Sequence, residues 1–394
     1  MDQSAVLQSD RPQDRSMFAC AQHATHTPFA VQTKTHVLQG RVALGDRAVL
    51  IVPRDGDVLH KCTVSATVRR GAGKAFFPME QLCERVELWI GGNRVDTHTA
   101  TYFRVYDELE RPPDARNAYH DMTNFHRDDP VGCVKTLHMP LLFWFCQDTS
   151  KALNLVGLEF DEVTIIVHLA AAVPGIDPAY DPQFSITCEY AYLDAPERAL
   201  LATTERRMLV DTMQIRDVSV TIGGGAAKDI PADLSFIRNP CTSIAWVFRG
   251  DLHGAFTGSG KPLEGSEAYA PLASARLLLD GRERFAVRPG PWFRAVEPLL
   301  RHGRAGSSGV YTTAFGLNPG GASAKGTLNF GEFDAPILAL VTKREVAGST
   351  NETLLLSPQT EALEGIGALR TLTLMARTWN WFVTHNGKGV MLFD

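Results

Sequence analysis

VELWIGGNRVDTHTATYFRVYDELER, residues 86–111, returns 190 residues later as RLLLDGRERFAVRPGPWFRAVEPLLR, residues 276–301. In the ungapped match Gly91 pairs with Gly281, Arg94 with Arg284, and Tyr102-Phe103-Arg104 with Trp292-Phe293-Arg294. Asp107 pairs with Glu297, and Leu109 and Arg111 pair with Leu299 and Arg301. Val86, Leu88 and Ile90 alternate with Glu87 and Trp89, the period of a strand with one buried face. Gly91-Gly92, and Asp280-Gly281 in the second copy, suit a tight turn whose central residues need positive φ. Tyr102, Val105, Tyr106 and Leu109 then recur at spacings of three and four, which predicts a short helix. A hairpin and helix repeated in the same order predict a duplicated domain of about 180 residues.

The rest of the chain has matching texture. Short runs of Val, Leu, Ile and Thr fill residues 35–70, punctuated by Gly45-Asp46 and Asp55-Gly56-Asp57. Strands are expected at 137–146, 158–171 and 183–194, and 111–136 reads as an excursion loop. Asp194 followed by Glu197 matches a capping box, and Pro196 suits a first helical turn, so residues 197–213 are expected to be helical. In the second half, 233–250 reads as two strands split at Asn239-Pro240. Further strands are expected within 310–318, 326–333, 336–343, 369–378 and 389–394, with excursions at 251–273 and 343–366. The expected organisation is an arm at 1–30, a domain at 31–194, a helical linker at 195–212 and a domain at 213–394. Many short strands and few long helices predict an all-β protein of sandwich or jelly-roll type.

Composition narrows the function. Lys plus Arg number 39 against 44 Asp plus Glu, a net charge of −5, with no dense basic block. That argues against a chain whose main task is gripping phosphate backbone. The first residues are polar and carry no apolar core, so no signal peptide is expected. No apolar run reaches the length of a membrane helix. Cys20, Cys62, Cys83, Cys133, Cys146, Cys188 and Cys241 are scattered without a C-x-x-C pair, which predicts free and mostly buried thiols rather than a zinc site.

No residue is assigned a catalytic, cofactor-binding or metal-binding role, and the chain is not expected to be an enzyme. Gly258-Ser259-Gly260-Lys261 lacks the phosphate-loop spacing, and Pro262 replaces the hydroxyl residue that would reach magnesium. Gly223-Gly224-Gly225 reads as a turn. His120, Asp121, His126, Asp128 and Asp129, like His23 and His26 in the arm, read as solvated polar residues. Asp161-Glu162 flank a strand, and no G-x-S-x-G elbow occurs. Trp144, Trp292 and Trp379 are expected in cores or interfaces.

Six stretches in order carry a resemblance. They are 38–68, ERVELWIGGNRVD at 84–96, PLLFWFCQDTSKALNLVGLEFDEVTIIV at 140–167, CEYAYLDAPER at 188–198, AFGLNPGGASAKGTLNFGEFD at 314–334 and TWNWFVTHNGKGVMLFD at 378–394. The chain resembles the major capsid proteins of the large eukaryotic DNA viruses. Ala324-Lys325 and Glu332 depart from the pattern usual near that Gly-Thr-Leu-Asn-Phe motif. The resemblance implies two tandem eight-stranded jelly-roll domains, a double jelly roll, with short helices in loops. It implies a homotrimer of pseudo-hexameric outline that tiles an icosahedral shell, with neighbouring capsomers and minor capsid proteins beneath the shell as partners. No direct nucleic-acid contact is expected, and any contact with an inner membrane would run through other proteins. The expected location is the virion capsid, assembled in a cytoplasmic viral factory. Two other readings stay open: a minor capsid, penton or scaffold-like protein of the same fold, and a glycan-binding double β-sandwich with exposed Trp residues.

Overall fold

The computed structural model describes residues 28–38, 42–72, 77–126, 128–222, 228–249, 272–304, 309–321, 325–342 and 368–393. The first half contains β1 (Phe29–Val37), β2 (Arg47–Ile51), β3 (Val58–Arg69), α1 (Pro78–Leu82), β4 (Cys83–Ile90), β5 (Asn93–Thr99), α2 (Ala100–Leu109) and α3 (Pro113–Thr123). It continues through β6 (Val134–Pro140), α4 (Trp144–Gln147), β7 (Leu153–Asn154), β8 (Val163–Leu169), β9 (Gln183–Leu193) and α5 (Ala195–Thr203). The second half contains β10 (Arg206–Ile222), β11 (Asp229–Asp233), β12 (Cys241–Arg249), β13 (Leu272–Leu279) and β14 (Arg282–Pro289). A π-helical turn (Trp292–Val296), α6 (Glu297–His302), β15 (Val310–Ala314), β16 (Pro336–Thr342), β17 (Ala368–His385) and β18 (Lys388–Met391) complete it.

Each half folds its strands into two four-stranded antiparallel sheets plus one short extra strand. The first half has sheets β1-β9-β3-β6 and β2-β8-β4-β5, with β7 added beside β3. The second has β10-β17-β12-β15 and β11-β16-β13-β14, with β18 added beside β17. Numbered from the start of each half with the short extra strands β7 and β18 left out, the two orders are the same, 1-8-3-6 and 2-7-4-5. Both are the eight-stranded jelly roll. Alternation decides which side chains enter each core: on β3, Val64, Ala66 and Val68 are buried, while Thr63 and Thr67 on the opposite face are part-exposed.

The repeated hairpins are superimposable in kind. Gly91 and Gly92 both have positive φ (58° and 80°), as do Asp280 and Gly281 (50° and 75°). These are the two-residue turns that the sequence predicts. The structural equivalence at the turn is therefore Gly92 with Gly281, one residue away from the ungapped match. Each hairpin has a register shift just before its turn, at Leu88/Trp89 and Leu277/Leu278. A further shift between Ala275 and Leu277 takes up the one-residue difference and restores the 190-residue spacing at the helix.

Several expectations are corrected. β1 begins at Phe29, inside the expected arm. Residues 113–123 form α3 and 134–140 form β6, so the 111–136 stretch is not an open loop. Pro113 opens that helix at a position where its missing N–H costs nothing. The Phe-Trp-Phe-Cys cluster is not the end of a strand but α4 and the turn into it. The helix after Asp194 stops at Thr203, and Arg206 starts a 17-residue strand. β8 is shorter than expected, residues 234–240 are not strand, and Phe330–Glu332 is a 3-10 turn. Residues 251–271 of the excursion expected at 251–273, the excursion expected at 343–366, the Gly-Ser-Gly-Lys and triple-glycine stretches, Cys20, His23 and His26 lie outside the described residues, and β13 already begins at Leu272.

Candidate functional site: the seam between the barrels and the faces beside it

The outer face of β10-β17-β12-β15 is turned toward the first barrel. Register places Met213 opposite Arg377, and Met375 opposite both Ile215 and Ala245. These side chains share a face that meets Tyr102, Tyr106, Leu109 and Glu110 around a cavity of about 20 Å3, room for about one water molecule. The apolar core of the first barrel runs across this line. It incorporates Val210, Val247, Val310, Met375 and Phe382 from the second half. Trp144 of α4 packs on Phe382 with ring centroids 5.6 Å apart. The second barrel keeps a separate core of its own around Trp246, Phe248, Phe293 and Tyr311.

Polar groups pin the seam at both ends. Arg377 is buried, hydrogen-bonds Glu110 of the first barrel and donates to Asp211 Oδ2 at 2.7 Å. Burial works against its charge, but Glu110 and Asp211 outweigh burial and hold the guanidinium protonated. Lys151 of the first half lies 3.7 Å from Asp211 and 4.5 Å from the centre of the Trp379 ring. The Met213 amide donates to Asp96 Oδ1 at 3.1 Å, and the Phe160 amide donates to the Gly387 carbonyl at 2.8 Å. The Gly389 amide donates to Asp161 Oδ2 at 2.8 Å, which gives that strand-flanking carboxylate a structural role.

A second charged cluster fixes α2 to its surroundings. Asp107 is fully buried and is contacted by Arg104, Arg111 (3.0 Å), Arg116 (3.4 Å) and His120 (2.8 Å). Tyr119 donates to Glu80 at 2.8 Å. His120 thus serves an ion-pair network within the fold. In the second barrel Glu297 and Arg301, the repeat partners of Asp107 and Arg111, keep the same i,i+4 relationship at 3.9 Å. Glu297 also accepts from Trp292 Nε1 at 3.3 Å and from the Ala314 amide at 3.3 Å. A helix-anchoring acid is therefore part of the duplicated unit.

Among the described residues, no group of three or more His, Cys, Asp or Glu is placed to hold a metal ion. Trp144 and Trp379 are buried, and Trp292 is half-buried under Arg288. Trp144 and Trp379 thus offer no aromatic platform of the kind on which a glycan-binding reading depends, while Trp381 is 38% exposed. Cys62, Cys83, Cys188 and Cys241 are free and buried, whereas Cys133 and Cys146 are half-buried.

Two jelly rolls of equal topology, fused through a shared core, define a double jelly-roll protein. Residues 16–194 match the family model of the major capsid protein N-terminus, and residues 197–390 match that of the large eukaryotic DNA virus major capsid protein. The chain belongs to the major capsid protein family of the large eukaryotic DNA viruses. It is 29% identical to the major capsid protein of Paramecium bursaria Chlorella virus 1, across 93% of this chain and 92% of that protein. It is 25% identical to the major capsid protein of Pyramimonas orientalis virus, across 94% and 91%. A quasi-atomic model of the PBCV-1 virus capsid contains a chain 27% identical to this one, with a TM-score of 0.84 over 96% of this chain and all of that one. The protein is a structural capsid subunit, a component of the virion shell rather than an enzyme.

The corrected elements were hidden for local reasons. α3 is polar because it buries little beyond Tyr119 and Thr123, so its apolar periodicity is weak. Arg377, Asp211 and Glu110 had no motif to announce them, since their proximity exists only once β17 meets α2.

Proposed function

We propose that the chain assembles as a homotrimer of pseudo-hexameric outline, and that such capsomers pack side by side into an icosahedral shell. The observation that carries this reading is the fused pair of like barrels, joined where the first barrel's core runs into the second half. Three copies bring six similar barrels, and a rigid seam gives each copy a fixed angle between its two. Minor capsid proteins beneath the shell are the further partners, with the N-terminal residues that precede β1 as their tether, and assembly takes place in a cytoplasmic viral factory. Purified full-length protein is expected to have the mass of three chains by light scattering and a six-lobed outline by electron microscopy. A monomer or a pentamer in both measurements overturns the reading.

A further inference from the structure

Three thiols meet inside the first barrel. Cys62 on β3 and Cys188 on β9 are register partners on neighbouring antiparallel strands. Their sulfurs stand 3.7 Å apart, and both side chains face the core, at 2% and 0% exposure. The backbone suits a bond between them. The Cys62 carbonyl accepts from the Leu141 amide at 2.9 Å, so its backbone polar groups turn toward β6 and away from β9. Cys62 and Cys188 are thus a non-hydrogen-bonded pair, a type whose Cα atoms lie about 4.5 Å apart with the side chains close together. Disulfides accept Cα separations from about 4.4 Å upward and need the sulfurs at about 2 Å. Rotation about the two Cα–Cβ bonds, with a small adjustment of the strands, supplies that closure.

Two further groups connect the buried pair to solvent. Cys146 of α4 contacts the Cys62 sulfur and packs against the same core, yet it is only half-buried. On the other side Tyr190 contacts Cys188. The Tyr190 hydroxyl lies 3.1 Å from His36 Nε2, and His36 reaches the surface beside Asp55, 3.9 Å away. An oxidant therefore has a way in through Cys146, and the proton of Cys188 has a way out through Tyr190 and His36. Cys241 sits differently: in the core of the second barrel it donates to the Ser243 carbonyl at 3.3 Å.

We propose that Cys62 and Cys188 are an oxidative modification site, which a peroxide converts through Cys146 into a disulfide that staples β3 to β9. The Cys146 thiolate attacks one peroxide oxygen and the O–O bond breaks. Cys146 becomes a sulfenic acid, and the other oxygen leaves as water with the thiol's proton. The Cys62 sulfur then displaces the sulfenic oxygen, which takes the Cys62 proton and departs as a second water, leaving a Cys62–Cys146 disulfide. Cys188 attacks Cys62 while its proton passes to Tyr190 and outward. Cys146 leaves as a thiolate and regains a proton from solvent. In sum two thiols lose two electrons and two protons, and one hydrogen peroxide becomes two waters. Cys62 and Cys188 are 126 positions apart, so the bond removes a long loop's freedom from the unfolded chain. The barrel is complete with its thiols, the form kept in reducing surroundings, and is tightened when the protein meets an oxidant.

The test uses the full-length reduced protein. It is treated with hydrogen peroxide under native conditions, unfolded in guanidinium with iodoacetamide, and digested without reductant. Mass spectrometry is expected to find a Cys62–Cys188 linked peptide, with Cys83, Cys146 and Cys241 recovered as alkylated thiols. The melting midpoint should rise by about 5–10 °C and return on treatment with dithiothreitol. Cys146→Ala should slow formation of the bond by about tenfold or more, because both remaining partners are buried. Cys133→Ala should leave the rate unchanged. Cys188→Ala should stop at a Cys62–Cys146 bond, which traps the intermediate. Recovery of Cys62 and Cys188 as alkylated thiols after prolonged peroxide treatment overturns the inference. So does a Cys62–Cys146 bond as the end product in the parent protein. A Cys146→Ala variant that forms the bond at the parent's rate overturns the route through Cys146.

Discussion

The guanidinium of Arg377, on the last long strand of the second barrel, is hydrogen-bonded to the carboxylate of Glu110, which follows helix α2 of the first. The two residues are 267 positions apart and both are largely shielded from water. Arg377→Ala leaves Glu110 without its buried cation and Asp211 with Lys151 alone, at 3.7 Å, and the loss of one member of a buried pair costs about 3–5 kcal/mol. Urea unfolding is expected to show that loss. Glu110→Gln should cost less, because it keeps a hydrogen-bond acceptor and Asp211 still balances the arginine. Equal effects from the two changes would contradict this ordering.

Asp107 gives the fold an acid limit. Burial alone would raise its pKa, but the hydrogen bond from His120 and the charges of Arg104 and Arg116 hold it down to about 2. A depressed carboxyl stabilises the folded state above the unfolded pKa and loses that contribution as pH falls through the folded one. The expected contribution is about 2 kcal/mol near neutrality, lost between about pH 4 and pH 2. Asp107→Asn should lower stability at pH 7 and flatten the fall in denaturation midpoint across that window. A variant whose acid limb parallels the parent's would show that other carboxyls set it.

Trp144 is 1% exposed and packs against Phe145 as well as Phe382 of the other barrel. Trp144→Ala opens a cavity in the shared core and is expected to cost about 3–5 kcal/mol. Trp144→Phe should cost less than half of that, since the indole N–H has no hydrogen-bond partner to lose. Differential scanning calorimetry of both variants checks the ranking.

Thiol labelling reads the cores independently. Cys133 and Cys146 are expected to react first in the native protein, and Cys62, Cys83, Cys188 and Cys241 only on unfolding. Burial pushes the Cys83 thiol up to about 12, so even transient exposure finds little thiolate until the site opens. Mass mapping after brief iodoacetamide treatment distinguishes the two sets. Early modification of Cys83 or Cys241 would contradict the packing described for them.

The fold was legible in the sequence wherever a residue's neighbours along the chain set its conformation. Gly91-Gly92 and Asp280-Gly281 announce their turns because few other residues adopt positive φ cheaply. Val86, Leu88 and Ile90 announce a half-buried strand through alternation. Misreadings fall where long-range packing decides. Residues 206–213 contain enough Met, Leu and Val to pass for the end of a helix, yet β17 pairs with them along their whole length. Phe143, Trp144 and Phe145 look like strand because aromatics favour strands, but a shared core takes all three from a short helix and the turn into it. The seam was the least legible part, because Arg377, Glu110, Asp211 and Lys151 come from four separate segments.

The core that crosses the seam ties the first barrel's completion to the synthesis of the second. Phe382 lies on β17 of the second barrel, about 240 residues along the chain from Trp144, yet it fills space beside Trp144 in the first barrel's interior. A nascent chain that has produced only the N-terminal half still presents the apolar surface that Val210, Val247, Val310, Met375 and Phe382 later cover. Chains truncated before β17 would therefore remain sticky and incomplete in both barrels at once. In this way the fold withholds a finished, assembly-ready surface from any molecule that lacks the strands of the second barrel.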